Sequence, residues 1–308
     1  QVFKGATTYP VIIILNKQEP NKKNQFEYVK IPKSSQSSVI DIDTHELVQV
    51  NQFSLEPASW NFLSIEANLL IERIKEHSTV RKQYGKCYYG VKTALNEAFL
   101  ISNDQAELGE HVKFIYEGKE IKKWNTPTPQ QKLILFESKW TKKSYGDDIN
   151  EEEAFEAVQG DFPELVRHLI KFEEKARKRY DKGDFWWELR NCAYYYLFDR
   201  PKIILPNLQN ANKFCLDSQG VFINAPAVFL PSNSKTLLCI LNSKVVWAFL
   251  KSICVVRSGG YIEVKPQYFE QIPVPELKNE ELFEQKADVV IENTSILQNL
   301  NMKFSKYL

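Results

Sequence analysis

Apolar residues along this chain follow two rhythms, and the switches between them sketch the elements. Tyr9-Pro-Val-Ile-Ile-Ile-Leu15 is a β-branched run between polar turns, and Phe26-Glu-Tyr-Val-Lys-Ile31 alternates with period two. The two are expected to pair as a hairpin across a Lys/Asn-rich loop. Residues 32–43 are polar and Ser-rich, which predicts a linker. From 59 to about 81, Phe62, Ile65, Leu69, Leu70 and Ile74 recur at helical spacing, so one stripe of a helix should pack on something. Residues 86–101, 111–121 and 131–140 read as strands broken by turns, the last holding Leu133-Ile-Leu-Phe136. Asp161-Phe-Pro-Glu164 reads as a helix start, with Asp161 as N-cap, Pro163 in the first turn and Glu164 at the capping-box position, and the helix should reach about 179. Strands are expected at 201–205, 213–216 and 221–229, and a helix at 234–250. A closing helix should run from 279 to about 299, with Leu282, Phe283, Ala287, Val290 and Ile291 on one face. The sum is an α+β fold with a β-rich, mostly antiparallel middle and helices packed around it.

Composition narrows the class without naming a chemistry. At 308 residues the chain can form one large domain or two smaller ones, and 43% hydrophobic with 26% charged residues provides a core with no sign of global disorder. The net charge of +1 gives no overall nucleic-acid signal, so a DNA face would have to be a local patch. Such a patch is available: Lys113, Lys119, Lys122, Lys123, Lys132, Lys139, Lys142 and Lys143 cluster in sequence around Trp124 and Trp140, although a solvated lysine-rich surface has the same composition. Cys87, Cys192, Cys215, Cys239 and Cys254 are widely spaced, which reads as reduced thiols without zinc in a cytoplasmic protein. Apolar runs fall far short of the roughly 20 residues that span a bilayer, so no membrane partner is expected. The chain opens at Gln1 without an initiator Met, from which a piece of a longer polypeptide is expected.

Candidate catalytic groups are few. Glu137-Ser-Lys139 has the Glu-x-Lys pattern of many metal-dependent nucleases, with Asp104 upstream. Glu151-Glu-Glu153 reads as a solvated helix face, and His45, His77, His111 and His168 have no companion nucleophile in a recognisable signature. The basic run Lys175, Arg177, Lys178, Arg179 suits the negative pole of a helix, with DNA contact as the alternative.

Five ordered segments over about residues 86–275 then carry a resemblance. Gly90-Val-Lys-Thr-Ala-Leu-Asn-Glu-Ala-Phe99 and Tyr116-Glu-Gly-Lys-Glu-Ile-Lys-Lys-Trp124 come first. Gly183-Asp-Phe-Trp-Trp-Glu-Leu-Arg190 and Pro201-Lys-Ile-Ile-Leu-Pro206 follow. The last comprises Leu241-Asn-Ser-Lys244, Arg257-Ser-Gly-Gly-Tyr261 and Lys265-Pro-Gln-Tyr-Phe-Glu-Gln-Ile-Pro-Val-Pro275. Together they resemble the TaqI-like C-terminal specificity domain of adenine-specific DNA methyltransferases and fused type II restriction–modification enzymes of bacteria. One departure is Ala94, where that family usually has Gly.

The resemblance implies sequence-specific binding of double-stranded DNA beside a methyltransferase domain normally in the same chain. S-adenosylmethionine would serve that parent, with magnesium if a nuclease is fused, while this chain should hold neither. It has no Gly-rich cofactor turn and no Asp/Asn-Pro-Pro-aromatic tetrapeptide, so no catalytic residue is assigned. Residues 1–32 would be the last strands of the methyltransferase domain, 33–85 a linker and connecting helix, 86–275 the recognition domain and 276–308 a C-terminal helix. Candidate DNA contacts are Lys92, Thr93, Asn96, Lys119, Lys122, Lys123, Trp124, Arg190, Arg257, Tyr261, Lys265 and Gln267. Tyr9 is the candidate for stacking on a flipped adenine, against a strand-end Tyr packing locally. Arg190 has an ion pair with Glu188 or another carboxylate as its alternative. Two other functions stay open: a stand-alone specificity subunit, and a metal-dependent nuclease using Glu137 and Lys139.

Overall fold

The computed structural model describes residues 12–17, 19, 21, 23–29, 47–55, 60, 62–107 and 109–304. Strand β1 (Gln25–Val29) forms an antiparallel ribbon with β2 (Leu47–Asn51), and Ile12 to Lys17 carries no strand, so the partner of β1 differs from the one its alternation suggests. Tyr9 and the 32–43 linker lie outside the described residues. Helix α1 (Ile65–Lys75) starts where the Ser64 hydroxyl accepts from the Ala67 amide. Leu69 and Leu70 of the expected stripe are exposed, and Ile71 is the residue it buries.

Next come α2 (Val80–Gln83), β3 (Tyr88–Tyr89), α3 (Asn96–Phe99), β4 (Leu100–Ser102), β5 (Val112–Tyr116) and β6 (Gln131–Ile134). Four helices follow: α4 (Trp140–Tyr145), α5 (Glu151–Asp161), α6 (Pro163–Leu169) and α7 (Glu173–Arg177). Asp161 closes α5 instead of capping α6, because its carboxylate accepts from the Tyr145 hydroxyl at 2.8 Å. The acidic run Glu151 to Glu153 is the first turn of α5, capped by Asn150, where carboxylates suit the helix dipole.

The chain then forms β7 (Lys202–Leu205), β8 (Leu208–Gln209), β9 (Cys215–Asp217), β10 (Phe222–Ile223) and β11 (Val228–Leu230). Helices α8 (Lys235–Leu241) and α9 (Lys244–Ile253), strands β12 (Val255–Val256) and β13 (Ile262–Glu263), and helices α10 (Pro266–Phe269) and α11 (Glu280–Phe304) complete it. One helix expected over 234–250 is two, since Ser243 caps a new start and Asn242 turns its amide onto both backbone groups of Phe214. No single described helix is long and apolar enough to cross a bilayer; α8 and α9, bent by 62°, bury their apolar side in the protein.

The central sheet, in the order β3-β11-β7-β9, is antiparallel throughout and separates two cores. Ile204 and Phe229 point into the first core, and their neighbours Ile203, Leu205, Val228 and Leu230 into the second. The second sheet, β10-β5-β6-β4, packs with α4 to α7 around the first core, and α8, α9 and α10 line the second. Within the central sheet, the Lys202 ammonium and the Asp217 carboxylate pair at 2.5 Å with both side chains fully buried. Lys202 also donates to the Phe198 carbonyl, and Asp217 also accepts from the amides of Val221 and Gln219.

Candidate nucleic-acid interface

The segments quoted from the sequence fall into two kinds, those that build the scaffold and those that reach the surface. Gly90 belongs to the first. A Cβ there would lie 2.4 Å from the Ile223 carbonyl oxygen, and the flanking backbone bonds to Ile223, Ala225 and Ala227 tie the two large sheets together. Thr93 is 1% exposed, with its hydroxyl committed to Asn96 Oδ1 and the Leu95 amide, so it shapes the turn beneath Lys92 and Asn96 and cannot itself reach DNA. Lys92 and Asn96 are exposed. Ala94 sits between them at φ +56°, in the left-handed region that favours glycine.

Arg179, at the end of the basic run, is 6% exposed and braces this turn from below. Its guanidinium donates to the carbonyls of Ala176, Thr93, Trp186 and Glu188 and lies over the Phe99 ring. That buried role excludes it from DNA contact. Glu188, also fully buried, accepts from the amides of Lys139, Thr141, Asp184 and Phe185. Gly183 makes room for it, since a Cβ there would lie 2.4 Å from Glu188 Oε2. Arg190 accordingly pairs with Asp181, at 2.8 Å, and not with Glu188.

The lysine-rich interval divides. Lys132 is buried and donates to the carbonyls of Asn103 and Ala106, so it is no part of a phosphate-binding surface. Lys119 pairs with Glu117, Lys142 with Asp184 at 3.4 Å, and Lys123 donates to the Asn242 carbonyl at 2.9 Å. Lys122, Lys139 and Lys143 are exposed and carry no ion pair among the described residues. Trp124, at φ +65°, packs against the second core with its amide bonded to the Phe214 carbonyl, so its ring is a wedge more than a platform.

The most exposed of the quoted segments is the tip joining β12 to β13, where every residue from 255 to 260 is exposed and Gly259 and Gly260 adopt φ near +79° and +78°. The β12-β13-β8 sheet anchors it, and the Arg257 amide donates to the Tyr261 carbonyl. Glu263 at the base gathers the charges: Arg257 Nε donates to it at 2.9 Å, Nη2 also contacts it, and Lys265 Nζ is 3.6 Å away. The Arg257 hydrogen bond holds the Glu263 carboxyl below the usual carboxylate range. Gln267 is exposed nearby in sequence, and Tyr261 and Lys265 are half-buried. Sequence reasoning singled out Arg257 and Lys265 and missed Glu263, which had no signal beyond its place in an alternating stretch.

The groups of the nuclease alternative do not share one site. Glu137 lines a cavity that Lys139 and Asp104 do not line, and Asp104 is bonded to Ser102. Among the described residues no group of three or more His, Cys, Asp or Glu side chains is placed to hold a metal ion. Gly90 is pressed against backbone, and Gly259 and Gly260 join two strands instead of a strand and a helix N-terminus.

No curated protein matches the chain. Among solved structures, a type IIL restriction–modification enzyme, MmeI, in complex with DNA aligns over 68% of this chain at 12% identity and a TM-score of 0.43, and the aligned part spans 28% of that enzyme. The sequence profile of the TaqI-like C-terminal specificity domain matches residues 113–274. That stretch holds Arg179 and Glu188, three of the four strands of the central sheet and the exposed β12–β13 tip, and over this larger part of its length the chain belongs to the TaqI-like C-terminal specificity domain family.

Proposed function

We propose that this chain is the target-recognition part of a restriction–modification enzyme, binding duplex DNA sequence-specifically to deliver adenine to a methyltransferase domain in the same polypeptide. Membership of a specificity-domain family carries the reading, and the exposed glycine-rich tip with Arg257 supplies a surface of suitable chemistry. On this reading residues 1–32 belong to the methyltransferase domain, 33–85 connect, 86–275 recognise DNA and 276–308 form a helical tail. S-adenosylmethionine, and magnesium where a nuclease is fused, act in the parent enzyme in the cytoplasm, and the isolated chain is not catalytic.

Selection from a pool of randomised duplexes tests it. The chain should enrich one short sequence, and the enriched duplex should outcompete a scrambled one. Binding that never discriminates between sequences would defeat the reading. Calorimetry with S-adenosylmethionine should show no binding, and saturable micromolar binding would refute the non-catalytic assignment.

A further inference from the structure

The β12–β13 tip does not stand alone at its end of the sheet. Strand β8 pairs antiparallel with β13, Gln209 opposite Ile262 and Leu208 opposite Glu263, so Asn210, one residue past β8, runs alongside Tyr261. The turn over 210–213 is closed by the Lys213 amide, which donates to Gln209 Oε1 at 2.8 Å. Asn212, 5% exposed, donates to the Ser243 carbonyl at 2.6 Å and so fixes the turn against the start of α9. Asn242 holds the same place from the other side. Its amide bonds both backbone groups of Phe214, and its own carbonyl accepts from the Lys123 ammonium at 2.9 Å. The Trp124 amide donates to the Phe214 carbonyl as well. Three segments distant in sequence, 122–124, 210–214 and 242–244, are thereby stitched into one corner beside the tip.

The corner is basic. Lys122 and Lys244 are exposed and Lys213 is half-buried, and among the described residues none of the three is in an ion pair. Carboxylates near them in sequence are already engaged. Asp217 is buried on Lys202, Glu117 pairs with Lys119, and Glu120 accepts from the Glu117 amide. Lysines spread over three segments suit successive charges of a polyanion better than one small anion, which would need them to converge. An ammonium is also a point charge without the planar fork that reads base edges, so phosphate is the matching group. Starting from Arg257, the order along the surface is tip, 210–213 turn, start of α9, then Lys123 and Lys122.

We propose that Lys213, Lys244 and Lys122 form a track for the sugar–phosphate backbone of one strand of duplex DNA, continuing from the β12–β13 tip. The inference rests on the DNA-binding reading and adds to it the path of a strand and two contacts, Lys213 and Lys244, that the sequence did not single out.

Fluorescence anisotropy of the full chain with the selected and the scrambled duplex, over a salt series, tests it. Lys213→Gln and Lys244→Gln should each flatten the log–log salt slope by about 0.9, and together by about 1.8. Each should accordingly cost about eightfold more affinity at 0.1 M than at 1 M salt, equally for both duplexes. Lys213→Arg keeps the charge and should keep the slope, and the urea midpoint of each variant checks its fold. Lys171→Gln is the control: Lys171 is exposed between Leu169 and Phe172 of the first core, and its loss should leave the slope unchanged. The track is overturned, with the DNA-binding reading intact, if the chain still discriminates between the duplexes while the slope ignores Lys213→Gln and Lys244→Gln, or if Lys171→Gln flattens it as much. Single-stranded RNA of equal length bound more tightly, with the same lysine dependence, would also overturn it. A chain that binds no duplex overturns the track and the reading together.

Discussion

Neutralising Glu263 should strengthen duplex binding, and removing Arg257 should weaken it in a way that reveals what Arg257 touches. In the free chain one carboxylate offsets two cations, because Glu263 holds Arg257 at 2.9 Å and Lys265 at 3.6 Å. To meet DNA, Arg257 must exchange this partner for a phosphate. The guanidinium is 52% exposed, so giving up the pair costs at most about 1 kcal/mol. Glu263→Gln removes that competition. A freed Arg257 that engages one more phosphate steepens the log–log dependence of affinity on salt by about 0.9. Deleting a negative charge roughly 7 Å from a phosphate adds about 0.6–2.4 kcal/mol at effective dielectrics from 80 to 20, or about threefold to fiftyfold in affinity. Arg257→Ala should do the reverse. A lost phosphate contact weakens selected and scrambled duplexes alike and flattens the slope by about 0.9, whereas a lost guanine contact costs about 1–3 kcal/mol on the selected duplex alone. The phosphate outcome is expected, since the loop is part of a shared family motif and base readers must differ between enzymes with different sites. Fluorescence anisotropy with both duplexes over a salt series measures all four quantities. If neither substitution changes affinity or slope, Arg257 and Glu263 are only a clasp that closes the β12–β13 turn.

Lys122→Ala should flatten the same salt slope by about 0.9, and Lys123→Ala by less, because the Lys123 ammonium is already bonded to the Asn242 carbonyl; equal effects would contradict this. Ala94→Gly should stabilise the chain by about 0.5–1 kcal/mol, the left-handed penalty of roughly 1–2 kcal/mol less the extra chain entropy of glycine, read as a higher midpoint in urea. Arg179→Met should cost about 3 kcal/mol or more in the same assay, since four carbonyls lose their donor inside the protein, and a loss under 1 kcal/mol would show that water replaces it. Burial lowers the His111 pKa from 6.5, so the unfolded chain binds that proton more tightly than the folded one. Stability should therefore fall as pH drops below 6.5, and His111→Gln should remove part of that fall while His168, lowered for the same reason, keeps the rest.

Local signals in the sequence determined several features by themselves. The strand at 202–205, the start of the tail helix at Glu280 and the helix start at the Ser234 cap follow from short-range chemistry, with Asn279 accepting from the Leu282 amide and Ser234 from Leu237. The ordered segments were enough to indicate the family and the α+β class. Ala94 was visible as a departure before its φ of +56° gave the reason.

Tertiary structure decided the rest, because it turns on partners distant in sequence. Runs such as Ile203-Ile204-Leu205 lie between two cores, so both faces are apolar and no alternation marks which side meets which core. Asp161 looked like a helix cap until Tyr145 claimed its carboxylate, and Arg179 looked like a surface charge until its guanidinium filled a ring of carbonyls. Lys132 was counted in a basic patch that it leaves by turning inward to Asn103 and Ala106. A charge in a sequence has a sign but no surroundings. Whether it binds phosphate, braces a loop or lines a cavity depends on burial and on the neighbours that folding brings within a few ångströms, and for Arg257 and His111 those neighbours are Glu263 and the aromatic ring cage.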